Sequence, residues 1–108
     1  MRVGTDLVHV PRLAEQIELL GSSFLDRVFT PGEQRECAGD VQRLACRWAA
    51  KEATIKAFGW ELQDVELRDV EVVGPGRPRI MIHSRSVQVL DLSMSHDGEY
   101  AIAIVVVA

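Results

Sequence analysis

Four charged side chains crowd one short stretch, Arg47-Trp48-Ala49-Ala50-Lys51-Glu52-Ala53-Thr54-Ile55-Lys56. On a helix, Arg47 and Lys51, Trp48 and Glu52, and Glu52 and Lys56 are each one turn apart. Two readings are open. The first is a solvated face whose ion pairs contribute about 0.2–0.5 kcal/mol each. The second is a site, and Trp48 favours it, because an indole one turn before Glu52 turns that side of the helix toward an interior edge. Asp6 raises the same question from the other end of the chain. It sits within the apolar segment Val3-Gly4-Thr5-Asp6-Leu7-Val8. A carboxylate there is costly to bury unless it is paired or bound to a cation. It either faces water at a strand edge, caps a neighbouring turn, or belongs to a hard-metal site. Magnesium is commonly held by one or two carboxylates, with waters and substrate phosphates in its other positions. Asp6 and Glu52 would be that pair if the strand end meets the helix, and Lys56 would then face the same phosphates.

Other chemistry-bearing residues are less marked. His96 stands beside Asp97-Gly98, where a surface hairpin residue is the ordinary reading, and His9 and His83 have no spacing that links them to a metal. Gly74-Pro75-Gly76 matches no phosphate-loop pattern, and no Ser/His/Asp or Cys/His arrangement has a supporting local signature.

The elements that must position these residues follow from periodicity and punctuation. The 108 residues predict a single domain over 1–108, with 47% hydrophobic and 26% charged residues. A net charge of −4 argues against nucleic acid as a partner. No apolar run reaches the ~18 residues of a membrane span, and Asp6 interrupts what would be the core of a signal peptide. Cys37 and Cys46 are too few for a disulfide framework and read as reduced, buried thiols of a cytoplasmic protein. Val3–Val8 suits a first strand. Pro11 opens a helix carrying Leu13, Ile17 and Leu20, which Gly21 ends. Ser22–Phe29 is a second short helix. Thr30-Pro31-Gly32-Glu33 is a capping box for a third, to about Ala38. Asp40 caps a long helix to about Phe58, with Leu44, Ala45, Trp48, Ala49, Ile55 and Phe58 as its apolar side. Val65–Val73 reads as a strand, 74–78 as a turn, Arg79–Ile82 as a strand and Ser84–Val89 as a turn of helix. Leu90–His96 and Glu99–Val107 flank Asp97-Gly98 as a hairpin. The last strand is apolar on both faces, so both sides need cover, the long helix on one and another subunit on the other. One strand, several helices including a long one, then a mainly antiparallel sheet ending in a hairpin make an α+β fold.

Four blocks now stand in order: Gly4-Thr5-Asp6-Leu7-Val8; Arg27-Val28-Phe29-Thr30 with Glu33; Arg47-Trp48-Ala49-Ala50-Lys51-Glu52-Ala53 with Lys56-Ala57; and Ser93-Met94-Ser95-His96 before an apolar strand. Together they resemble the 4′-phosphopantetheinyl transferases, and closely the small holo-acyl-carrier-protein synthase type, nearly end to end. The resemblance implies transfer of the phosphopantetheine arm of coenzyme A to a serine of an apo acyl carrier protein, with release of adenosine 3′,5′-bisphosphate. It implies Mg²⁺ on Asp6 and Glu52, with Lys56 on the phosphates and these three as the catalytic set. Coenzyme A contacts would fall to Arg47, Lys56, Gly59, Pro78 and His96. The carrier protein, which is acidic in such systems, would dock on Arg12 and Leu13 of the first helix. The small type is a homotrimer with active sites between subunits. Two departures stand out: Gly59 is followed by Trp60-Glu61-Leu62 where the family has a further glycine, and Arg79–Ser93 is shorter than the family's segment. The second is the cue for an alternative, a non-catalytic relative that binds coenzyme A or a carrier protein within a larger synthase. Lys51 belongs to the motif with no role beyond helix-face electrostatics.

Overall fold

The computed structural model describes residues 1–59, 64–74 and 76–108. The chain opens with strand β1 (Arg2–His9), followed by helices α1 (Val10–Leu20), α2 (Ser22–Val28), α3 (Pro31–Cys37) and α4 (Val41–Phe58). A 3₁₀ turn at Leu67–Asp69 leads into β2 (Val70–Val73), β3 (Arg79–Ile82), β4 (Arg85–Ser86), β5 (Asp91–Asp97) and β6 (Tyr100–Val107). The class is α+β, as expected, but the strands form two antiparallel sheets of three, β1-β6-β5 and β2-β3-β4. Among the described residues no helix is long and apolar enough to cross a membrane.

Local chemistry explains most element ends. Thr30 and Glu33 form the expected reciprocal capping box at α3, and the Asp40 side chain accepts the Arg43 N–H at the start of α4. Gly59 ends α4 at φ 64, a conformation that favours glycine. Three expectations need correction. Val65–Leu67 is not strand, because the Asp69 carboxylate accepts the Glu66 N–H and pulls this segment into the 3₁₀ turn. Ser84–Val89 contains no helical turn, since Arg85 and Ser86 pair with Ile82 and Met81 as an extra strand. The last hairpin turns one residue later than expected, with Asp97 opposite Tyr100 and Gly98-Glu99 as its two-residue loop. Gly98 supplies the positive φ of 56 that such loops require.

Helix α4 is the spine. Its Ala49, Ala50, Ala53 and Ala57 are buried against β6, β2 and β3, where Ala103, Val105, Val107, Val70, Val72, Ile80 and Ile82 complete one core cluster. A second cluster, including Leu13, Phe24, Phe29, Cys37, Leu44 and Ala101, joins the first three helices to the start of α4. Both cysteines are free and buried, and burial pushes the Cys37 thiol up to about 11, which keeps it protonated. The expected apolar side of α4 is therefore right but too narrow, since the alanines bring the helix close to the sheet over a wider arc.

The closest approach is at Gly4. A Cβ on this residue would lie 1.9 Å from the Ala53 carbonyl oxygen and 2.7 Å from the Ala57 nitrogen. Both neighbours are helix backbone, which has no room to yield, so only glycine lets β1 and α4 touch here.

The largest correction concerns Lys51. It is not on a solvated face: both it and Glu33 are 0% exposed, and its Nζ donates to Glu33 Oε1 at 2.5 Å. The same oxygen accepts the Thr30 N–H at 2.9 Å, while Oε2 accepts the Val72 N–H at 2.8 Å. One carboxylate thus ties α3, α4 and β2 together. Burial pushes the Glu33 carboxyl up and the Lys51 ammonium down from their ordinary values, and their mutual attraction opposes both shifts. Removing one member leaves the other buried without its counter-charge.

Two stability outcomes follow. Gly4→Ala destabilises the fold by about 1–3 kcal/mol through overpacking against α4, read from the denaturation midpoint in urea. Lys51→Met costs about 3–5 kcal/mol by stranding Glu33, whereas Arg85→Met, at an exposed position, stays within about 0.5 kcal/mol on the same curves.

Candidate active site

Alternation along β1 puts Gly4, Asp6 and Val8 on the face that α4 covers. Because Gly4 meets Ala53 and Ala57, Asp6 two residues further on reaches the side of α4 that carries Glu52 and Lys56. The Lys56 Nζ lies 2.9 Å from Asp6 Oδ1 and donates also to the Thr5 carbonyl at 3.1 Å. The Asp6 side chain is largely sheltered at 17% exposure, while Lys56 at 55% keeps its end in water. One turn back, Glu52 Oε1 accepts the Trp48 indole N–H at 3.3 Å. Asp6 and Glu52 line one cleft of about 220 Å³, together with His9, Arg12, Leu13 and Trp48. The bland reading of the helix face as scattered surface ion pairs fails here: Glu52 bonds Trp48, Lys56 bonds Asp6, and Lys51 is inside the protein.

The donor set suits a hard cation. Two carboxylates share a cleft with no sulfur donor in its lining, a set of oxygen donors that a hard cation such as magnesium accepts. Among the described residues no group of three or more His, Cys, Asp or Glu side chains is gathered as ligands.

The other expected site residues lie elsewhere on the same chain. Arg47 faces α3, with Nη2 3.5 Å from Glu36 Oε2, an oxygen that also accepts the Gly74 N–H. Pro78 belongs to a separate groove of about 440 Å³ with Arg77, Ile80, Val87 and Leu90. His96 is exposed at the end of β5 and lines a shallow groove with Leu7, Tyr100 and Ile102. Gly59 caps the far end of α4, beside the Arg2 guanidinium that donates to the Phe58 carbonyl. Arg12 is exposed at the cleft, but Leu13 is 2% exposed and packs into the core of the helical layer, so it is not the open apolar contact expected for docking. Helical rotation explains the difference: consecutive residues of α1 point about 100° apart, and the Leu13 direction is inward. Trp60, Glu61 and Leu62 lie outside the described residues.

Sequence reasoning missed Glu33 as the partner of Lys51. The capping box identified its first hydrogen bond, but the sequence carries no signal that the same oxygen also accepts from Lys51 or that the second one accepts the Val72 N–H.

Comparison with known proteins agrees with this architecture. The chain is 45% identical over 118 residues to the holo-[acyl-carrier-protein] synthase of Gloeobacter violaceus, covering 96% of this chain and 89% of that protein. It is 41% identical over 117 residues to the synthase of the same name from Koribacter versatilis, covering 95% and 94%. The Helicobacter pylori holo-[acyl-carrier-protein] synthase, solved in complex with coenzyme A, superposes with a TM-score of 0.83 at 27% identity, covering 98% of this chain and 99% of that one. The sequence model of the 4′-phosphopantetheinyl transferase superfamily matches residues 2–105. With β1, α4, β5 and most of β6 inside that match, this chain belongs to the 4′-phosphopantetheinyl transferase superfamily.

Proposed function

We propose that the protein is a holo-acyl-carrier-protein synthase, which moves the 4′-phosphopantetheine group of coenzyme A onto a serine of an apo acyl carrier protein. The observation that carries this reading is the meeting of Asp6, Glu52 and Lys56 where β1 crosses α4, in a chain similar to the two synthases compared above. The alternative, a binding module without turnover, took its cue from the short segment after β3. That segment does run from β3 to β5 with only the two-residue β4 between them, yet it is remote in sequence from the Asp6 crossing.

In the reaction the serine oxygen bonds to the phosphorus bearing pantetheine, the pyrophosphate P–O bond breaks, the hydroxyl proton is released, and adenosine 3′,5′-bisphosphate leaves. Charge neutralisation and alignment are the main tasks of such a site. Asp6 and Glu52 would hold Mg²⁺, which when bound supplies Lewis-acid stabilisation of the pyrophosphate oxygens. Lys56, anchored on Asp6 but open to water, is free to exchange its partner for a phosphate oxygen. Asp6 then keeps one carboxylate oriented by the strand, and Glu52 keeps another oriented by Trp48. Arg12, exposed beside the cleft at the start of α1, presents a positive charge to an acidic carrier protein.

We also read the active unit as a homotrimer. Arg47, Pro78 and His96 are not among the residues that line the Asp6 cleft of one chain, and a neighbouring copy would bring all of them to one extended coenzyme. The uncovered face of the β1-β6-β5 sheet supports the same reading. Val3 and Leu7 of β1 and Ile102 and Ile104 of β6 are 62%, 60%, 39% and 44% exposed on that face, while the other face of β6 is buried under α4.

Incubation with coenzyme A, Mg²⁺ and apo carrier protein adds one phosphopantetheine to the carrier, seen as a mass increase in intact-protein mass spectrometry. Asp6→Asn and Glu52→Gln, which keep shape and remove charge, lower that rate by roughly 10²–10³-fold. Full activity in both variants would show the metal assignment to be wrong. Sedimentation velocity gives a trimer for the purified protein, and Ile104→Lys shifts it to monomer; a wild-type monomer at micromolar concentration would sink the trimer reading.

A further inference from the structure

The Trp48 side chain reaches the candidate metal ligand through one hydrogen bond. Its indole Nε1–H donates to Glu52 Oε1 at 3.3 Å, one helical turn along α4. The other carboxylate oxygen is left for a cation. A carboxylate on a helix surface has several rotamers, and the indole bond selects the one directed at the cleft shared with Asp6. Such outer hydrogen bonds orient metal-binding carboxylates and are a large part of a site's affinity.

What fixes the indole itself is equally specific. The Phe24 ring lies 5.7 Å from the Trp48 ring at an interplanar angle of 33°, and Phe29 meets it edge-on at 6.2 Å and 73°. Phe29 is 0% exposed and sits below the Lys51 ammonium, whose Nζ is 5.3 Å from the ring centroid. Lys51 is in turn held by Glu33. A continuous set of contacts therefore runs from the buried ion pair through two aromatic rings to the carboxylate of Glu52.

We propose that Trp48 is a positioning residue for Glu52, its indole N–H aiming the carboxylate at the cation while Phe29 and the Lys51–Glu33 pair hold the ring still. The proposal rests on the magnesium reading of Asp6 and Glu52 given above. It assigns to Trp48 a function that a ring of the same shape without a donor cannot perform.

The test separates donor from ring. Trp48→Phe keeps an aromatic side chain and removes the N–H; benzothienylalanine placed at position 48 keeps the two-ring shape and removes only the donor. Binding of Mn²⁺ in the presence of coenzyme A is read from the electron paramagnetic resonance signal of the free ion. The Mg²⁺ concentration giving half-maximal transfer is measured in parallel, and thermal melting reports on the fold. Both variants weaken Mn²⁺ binding and raise the half-maximal Mg²⁺ by about 10-fold. The benzothienylalanine variant melts as the wild type does, and its rate recovers at saturating Mg²⁺. Metal affinity within twofold of wild type in the benzothienylalanine variant, with Glu52→Gln losing Mn²⁺, overturns the role of Trp48 alone. If Glu52→Gln also binds Mn²⁺ like the wild type, the magnesium reading falls and this inference with it.

Discussion

The fold depends on how closely a strand and a helix can lie. At Gly4 the backbone of β1 rests on the backbone of α4, with the Ala53 carbonyl where a side chain would begin. Everything in the candidate site inherits its geometry from that contact. Asp6 follows Gly4 on the same strand face, and Glu52 and Lys56 flank Ala53 on the helix. Larger side chains between the two elements would push Asp6 away from Glu52 and Lys56, and the shared cleft would widen. Alanine at 49, 50, 53 and 57 serves the same purpose over the length of the helix. The low hydrophobic content of this face is what closeness requires, not a weakness of the core.

A second constraint holds the helix against rotation. Glu33 bonds the start of its own helix, the ammonium of Lys51 and the backbone of β2, so three elements share one carboxylate. Burying an ion pair is a poor way to gain stability, because desolvation offsets much of the attraction. Its value here is directional. A rotation of α4 would break the Lys51 contact and move Glu52 and Trp48 together, since all three ride on the same two turns. A parallel arrangement sits one turn earlier on α4 and one turn later on α3, where Arg47 meets Glu36 and Glu36 accepts the Gly74 N–H.

The capping chemistry, the long helix, the hairpin and the Asp6–Lys56 neighbourhood were legible in the sequence, because each rests on local residue types or on a short motif. What stayed hidden depends on long-range packing. Lys51 reads as a surface charge until a carboxylate eighteen positions away comes to meet it. Leu13 reads as a docking contact next to Arg12 until the helix turns it inward. The strand beginning at Val65 fails for a local reason, the Asp69 side chain competing for backbone, which apolar alternation does not register. The slip of one residue in the final hairpin is of the same kind, since Asp-Gly marks a turn without saying which of its positions the glycine takes.

The burial of Lys51 also changes how the surface looks to a chemist. The chain contains just two lysines, and one of them has no exposed surface. The ammonium of Lys56 is thus the sole side-chain amine open to water, and it sits on Asp6 at the mouth of the cleft. Acylating reagents, amine-reactive dyes and lysine crosslinkers would find the α-amino group and the candidate site and little else. A covalent tag could therefore be placed on Lys56 without engineering a cysteine, and coupling the protein to a support through its amines would risk blocking the candidate site.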